Sequence, residues 1–192
     1  ARWSPVMESQ YTSTWYGDIH HDLLTKFAAV KLLVCDVDGI FSDGRIYLGN
    51  QGEELKAFHT RDGLGVKALL TAGIQVAVIT GRQSQIVADR MRALGVPHIY
   101  QGQHDKMQAF RAIQYACGVR DNETASIGDD LPDLPMLQAS GLALTVYDGH
   151  PFLQQQADYV TQQRGGFGAV REVADLILLS QGLLHQVHES ST

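Results

Sequence analysis

The chain has 192 residues, 44% hydrophobic and 19% charged, with a formal net charge of −6. Those figures suit one globular domain with an ordinary core. They argue against a broad basic surface for nucleic acid, and no apolar run approaches the roughly 20 residues of a membrane helix. Residues 1–17 lack the basic-then-apolar layout of an export signal, so a cytoplasmic setting is expected. Cys35 and Cys117 show no metal-type spacing and read as reduced thiols.

In chain order, residues 22–29 read as a short amphipathic helix leading into the domain. Residues 31–35 (KLLVC) form a short apolar run, the mark of a buried strand. It ends in DVDG. Residues 46–58 alternate in RIYL and ELKAF around turn signals at Asp43-Gly44 and Asn50-Gln51-Gly52, which predicts a β-hairpin or small flap. Residues 62–72 have helical spacing and stop at Gly73. Further strands are predicted at 74–80, 96–100, 124–127, 142–146 and 158–161. Helices are predicted at 84–94, 106–116, 132–139, between the last two strands, and at 169–181.

Strands alternate with helices throughout, the pattern of a parallel sheet covered on both faces. The expected fold class is therefore α/β, a Rossmann-like three-layer parallel sheet with a hairpin flap after strand one. A boundary is expected near Lys31, giving an N-terminal extension (1–30), a main domain (31–182) and a polar tail (183–192).

In an open parallel sheet, ligands bind beyond the carboxyl ends of the strands. Four pieces of sequence converge there. Asp36 and Asp38 follow strand one and, being two apart on extended chain, can face one pocket. Two such carboxylates repel unless a cation lies between them or one is protonated. One could attack phosphorus while the other manages a proton. Thr80-Gly81-Arg82 follows strand two, where a hydroxyl and backbone N–H groups can hold a phosphate. Lys106 opens the helix after strand three and could neutralise phosphate charge. Gly128-Asp129-Asp130, with Asp133 three residues on, offers hard oxygen ligands suited to magnesium. Each piece has an ordinary reading as well: helix capping for the aspartates and Thr80, solvated surface for the lysine. The four together, in order at successive strand ends, point to phosphoryl transfer.

DVDG, TGR, Lys106 and GDDLPD resemble the four motifs of the haloacid dehalogenase superfamily of phosphatases. Over residues 31–182 the stretches DVDGIFSDGRIYLGNQGEELKAFHTRDGLG, YQGQHDK, ADYVT and RGGFGAVREV are similar to the 3-deoxy-D-manno-octulosonate 8-phosphate phosphatases within it. The resemblance implies Asp36 as nucleophile, forming an aspartyl-phosphate, and Asp38 as general acid and then base. It implies magnesium held by Asp36, the Asp38 carbonyl and Asp129, with Thr80 and Lys106 on the transferring phosphoryl group and Asp130 and Asp133 in support.

Many relatives carry an inserted cap between the first and second motifs or between the second and third. Here the two intervals hold only a hairpin and a helix, then a helix and a strand, so no cap domain is expected. A small-molecule site needs water excluded, and either a macromolecular substrate or a neighbouring subunit could cover it. The resemblance implies a homotetramer whose flaps pack together. It also implies contacts to a phosphorylated keto-sugar acid from His59, Thr60, Arg61, Asp62, Gly63, Lys67, Arg82 and Arg90. The family often has arginine where Lys67 stands, and lysine keeps the charge without the planar fork. The segment 164–168 (RGGFG) reads as a flexible loop that could reach a neighbour's site.

The implied reaction is phosphate release from 3-deoxy-D-manno-octulosonate 8-phosphate, in lipopolysaccharide precursor synthesis. The alternatives are the same chemistry on a nine-carbon keto-sugar acid phosphate, a phosphatase of macromolecules, and a silent scaffold.

Overall fold

The computed structural model describes residues 9–185 and 187. A hairpin of β1 (Tyr11–Thr14) and β2 (Gly17–His20) leads into α1 (His21–Ala28) and then the first central strand, β3 (Leu32–Cys35). A second hairpin, β4 (Tyr47–Leu48) and β5 (Glu54–Leu55), precedes α2 (Thr60–Thr71). There follow β6 (Gln75–Ile79), α3 (Gln85–Ala93), β7 (His98–Tyr100), α4 (Lys106–Cys117) and β8 (Thr124–Ile127). The chain closes with α5 (Leu134–Ala139), β9 (Leu142–Thr145), α6 (Pro151–Gln156), β10 (Tyr159–Val160) and α7 (Ala169–Ser180).

Six strands form one parallel sheet in the order β10-β9-β8-β3-β6-β7. Side chains alternate across each strand, and this splits the core in two. Leu33 and Cys35 join Phe27, Val66, Leu69, Met91 and Val173, the layer of α1, α2, α3 and α7. Leu32 and Val34 join Phe110, Ile113 and Met136, the layer of α4 and α5. The three-layer α/β expectation holds, and no cap domain is present among the described residues. After β3 the chain builds toward β7 on one side, then crosses to β8 on the other. Such a switch point opens a crevice beyond the carboxyl ends of β3 and β8.

The stretch set apart by sequence before Lys31 is built into this body. Ile19, Phe27 and Val30 are buried in the main cluster. The Tyr16 hydroxyl donates to Asp175 at 2.5 Å, Gln162 donates to the Tyr16 carbonyl, and Lys26 pairs with Asp158 at 2.9 Å. Residues 1–8 of the expected extension, and 186 and 188–192 of the expected tail, lie outside the described residues. No helix among the described residues is long and apolar enough to cross a membrane.

Helix α7 braces the crevice. Its preceding residue, Gly168, has no side chain to cap it, and Asp62 of α2 supplies the acceptor instead, taking the Arg171 N–H at 2.9 Å. The segment 164–168, expected to be a flexible loop, is turned and packed. Gly166 N–H donates to the Ile40 carbonyl at 2.9 Å, and a Cβ on Gly165 would collide with the Gly39 carbonyl. The backbones meet too closely for any other residue there.

Burial raises the Asp62 carboxyl to about 6, from an ordinary 3.8, although the N–H groups of Arg171, Gly168 and Val170 oppose the shift. Its Oδ2 is buried without a partner. The folded chain thus holds this proton more tightly than the unfolded chain, so stability present below about pH 4 is lost as pH rises through about 6. The shift corresponds to roughly 3 kcal/mol. Asp62→Asn keeps the acceptor and removes the charge. Urea unfolding should show its stability flatter than wild type between pH 4 and 7. Asp62→Ala should be less stable than Asp62→Asn by about 1 kcal/mol of capping at every pH. Equal pH slopes for wild type and Asp62→Asn would contradict this placement.

Candidate active site

Beyond the end of β3, Asp36 takes the Val37 N–H on Oδ1 at 2.7 Å, which fixes its rotamer in the crevice. The Lys106 ammonium lies 3.4 Å from that oxygen and 2.6 Å from Asp133 Oδ1. Asp133 in turn accepts the N–H groups of Asp129 and Asp130 on Oδ2, at 3.0 and 3.4 Å. Both Asp133 oxygens are thereby engaged, so it orients its neighbours. Asp130 accepts the Leu131 N–H at 2.8 Å and caps the short turn that follows, as the ordinary reading of that motif anticipates.

Asp36, Asp129 and Asp133 each present an oxygen within 4.8 Å of the others. Burial is the main cause that raises the Asp36 carboxyl well above its usual range; Asp133 adds to it and Lys106 opposes it. Burial first, then Asp133 and Asp130, raise Asp129 to about 7. The Lys106 ammonium loses by burial, but Asp36 and Asp133 outweigh that and hold its pKa above the ordinary value. One lysine cannot neutralise this many buried carboxylates, and a divalent cation against Asp36 and Asp129 would. Space for it is kept by Gly39, at φ +84°, where a Cβ would strike the Asp129 carboxylate.

A cleft of about 410 Å³ is lined by Asp36, Asp38, Thr80, Arg82, Lys106 and Asp129, together with Asp130 and Asp133. Thr80 is 3% exposed, and its backbone is fixed by Tyr100 and Gln103. All four sequence motifs therefore meet in one place.

The other sequence-expected residues do not line this cleft. His59 caps α2 by accepting the Arg61 N–H at 3.1 Å. Thr60 and Arg61 are exposed, and Lys67 is half-buried. Arg90 lies over Gly63, where a Cβ would meet its Nη2 at 2.5 Å. Asp62 is buried and accepts the Arg171 N–H of α7.

Sequence reasoning missed two residues of the flap. Glu54 accepts from Arg82 Nη2 at 2.8 Å, and the Lys56 ammonium, its side chain 0% exposed, lies 2.7 Å from Asp38 Oδ1. Their alternation around Leu55 was the available signal, since residues two apart on extended chain share a side.

Residues 95–172 match the model of a family described as haloacid dehalogenase-like hydrolase. A 3-deoxy-D-manno-octulosonate 8-phosphate phosphatase of Yersinia pestis is 50% identical over 179 residues, 93% of this chain and 96% of that protein. The match is long enough to reach into the first 30 residues, beyond the span where the resemblance was read. The crystal structure of such a phosphatase from Yersinia pestis superposes with a TM-score of 0.90 at 50% identity, over 91% of this chain and 95% of that one. One from Moraxella catarrhalis, in complex with magnesium, phosphate and the sugar acid, gives 0.83 at 43% identity, over 85% and 94%.

A proton must leave Asp129 before a cation can bind well below pH 7. Calorimetric titration with magnesium should therefore show affinity rising with pH, by up to about tenfold per unit below pH 7 and little above it. Affinity independent of pH between 5.5 and 8 would contradict the crowded-carboxylate account.

Proposed function

The chain belongs to the 3-deoxy-D-manno-octulosonate 8-phosphate phosphatases of the haloacid dehalogenase superfamily, and from that premise we propose that it hydrolyses this sugar-acid phosphate to the free acid and phosphate. The observation that carries the proposal is Asp36 at the switch point, held by Val37 N–H and Lys106 in a cleft with Asp38, Thr80 and Asp129.

Asp36 attacks phosphorus and the ester oxygen leaves. Asp38 protonates that oxygen, then takes a proton from the water that opens the aspartyl-phosphate. Lys106 and the Thr80 hydroxyl hold the phosphoryl oxygens, and the Lys106 charge favours the ionised form of Asp36 that attacks. Asp133 holds Lys106 and the Asp129 backbone in register. Magnesium, held by Asp36, the Asp38 carbonyl and Asp129, supplies charge neutralisation for the transferring group.

His59, Thr60, Arg61, Gly63, Lys67 and Arg90 enter the proposal as contacts to the sugar acid, with Arg82 inside the cleft. Cationic groups among them suit its carboxylate. A homotetramer completes the site: the flap exposes Leu48 at 75%, Leu55 at 64% and Tyr47 at 48%, apolar surface suited to packing against another copy. A cytoplasmic place in lipopolysaccharide precursor synthesis goes with it, and the free thiols Cys35 and Cys117 are in keeping with that compartment.

Phosphate release from the eight-carbon ester, with the nine-carbon analogue alongside, tests the proposal. Magnesium-dependent turnover preferring the eight-carbon ester, reduced on the order of 10⁴-fold in Asp36→Asn, is the expected result. Preference for the nine-carbon ester would reassign the substrate, and undiminished turnover by Asp36→Asn would remove the nucleophile. Sedimentation of wild type against Leu48→Asp/Leu55→Asp checks the assembly, which should fall from tetramer to smaller species. A wild-type monomer would overturn it.

A further inference from the structure

The flap does more than cover the cleft. Strand β5 and the residue after it alternate sides, so Glu54 and Lys56 face inward while Leu55, 64% exposed, faces out. Glu54 takes the guanidinium of Arg82 at 2.8 Å, and Arg82 Nε stands 3.9 Å from Asp38 Oδ2. Lys56 approaches the other Asp38 oxygen at 2.7 Å from a fully buried side chain. The Asp38 carboxyl is thus gripped on one oxygen by a buried ammonium and approached on the other by an arginine that Glu54 holds in place.

A carboxyl group turns easily about its last torsion, because that torsion is broad and two-fold. An acid that must meet a leaving oxygen at hydrogen-bond distance cannot be left free to turn. A buried ammonium, in turn, is strongly unfavourable without an acidic partner, so Lys56 and Asp38 fix one another.

We propose that Lys56 is a positioning residue for Asp38, brought by the flap to orient the carboxyl group toward the leaving oxygen. The inference rests on the reading of Asp38 as proton donor. It gives the hairpin a chemical duty besides shielding: the proton donor is aligned only when the flap is down. Glu54 has the companion role of holding Arg82, so that two inward residues of the flap, two apart, set both sides of Asp38.

A flap clamp without this duty would affect all esters alike, and the leaving group separates the two. A sugar phosphate leaves as an alkoxide and needs a proton; p-nitrophenyl phosphate leaves as a stabilised phenolate and does not. Phosphoenzyme formation is measured in single turnovers with saturating magnesium, for wild type, Lys56→Met and Lys56→Arg. Lys56→Met is expected to slow the sugar ester by about 100-fold and the aryl ester by less than about fivefold, with Lys56→Arg recovering most of the loss. Equal loss on both esters, or no loss on either, would overturn the proposal. If the methionine variant does not fold, as read by circular dichroism, Lys56→Gln takes its place. Should wild type ignore the octulosonate ester, the substrate reading fails by itself, and the same comparison is made with ribose 5-phosphate as the alkyl ester.

Discussion

The Lys106 ammonium, between Asp36 at 3.4 Å and Asp133 at 2.6 Å, is the contact on which the rest of the site depends. Burial favours the protonated, uncharged form of Asp36. The lysine opposes that, and Asp133 keeps the lysine there while also holding the backbone of Asp129 and Asp130. These two ion pairs therefore join the end of β3 to the start of α4 and the loop after β8. The parallel sheet exists, in functional terms, to bring those three strand ends within a few ångströms. The price is a surplus of buried negative charge, and that surplus makes the cleft a cation site and then a phosphate site.

Two outlying parts of the chain keep this centre in shape. From below, Asp62 caps α7, and the close-packed backbone at Gly165 and Gly166 fixes the turn that follows Asp38. From above, the flap lowers Lys56 and Glu54 onto Asp38 and Arg82. Neither device is a cap domain, and together they order the loop and carboxyl of Asp38 without one. The exposed Leu48 and Leu55 then lie on the outer side of the same hairpin, so the residues proposed for assembly and those that touch Asp38 share one hairpin.

Much of this was legible in the sequence because it depends on local pattern. The buried runs KLLVC and IQVAVIT are short, apolar and bounded by turn signals, and β3 and β6 lie within them. The motif residues follow strand ends, where direction is fixed by the sheet. The N-terminal hairpin was not legible: YTST and GDIH are polar, only Ile19 of the two strands is buried, and the turn at Trp15-Tyr16 lacks the usual asparagine or glycine pair. Its order comes from contacts with Gln162 and Asp175, far along the chain. The helix-capping role of Asp62 was hidden for a similar reason. In the stretch HTRDGLG it resembles a ligand, while its partner N–H is 109 residues away. Lys56 escaped notice because a lysine on a short polar hairpin is ordinarily solvated, and only the folded flap shows it buried.

The account stands on Asp36 as the atom donor to phosphorus. The direct measurement is acid quench of the enzyme during turnover of the sugar-acid phosphate, reduction with borohydride, and mass spectrometry of the peptide spanning residues 31–56. An aspartyl-phosphate is reduced to homoserine, so homoserine at position 36, formed only with both magnesium and substrate present, is the predicted result. Homoserine at position 38, or an unmodified peptide under conditions of full turnover, would contradict it.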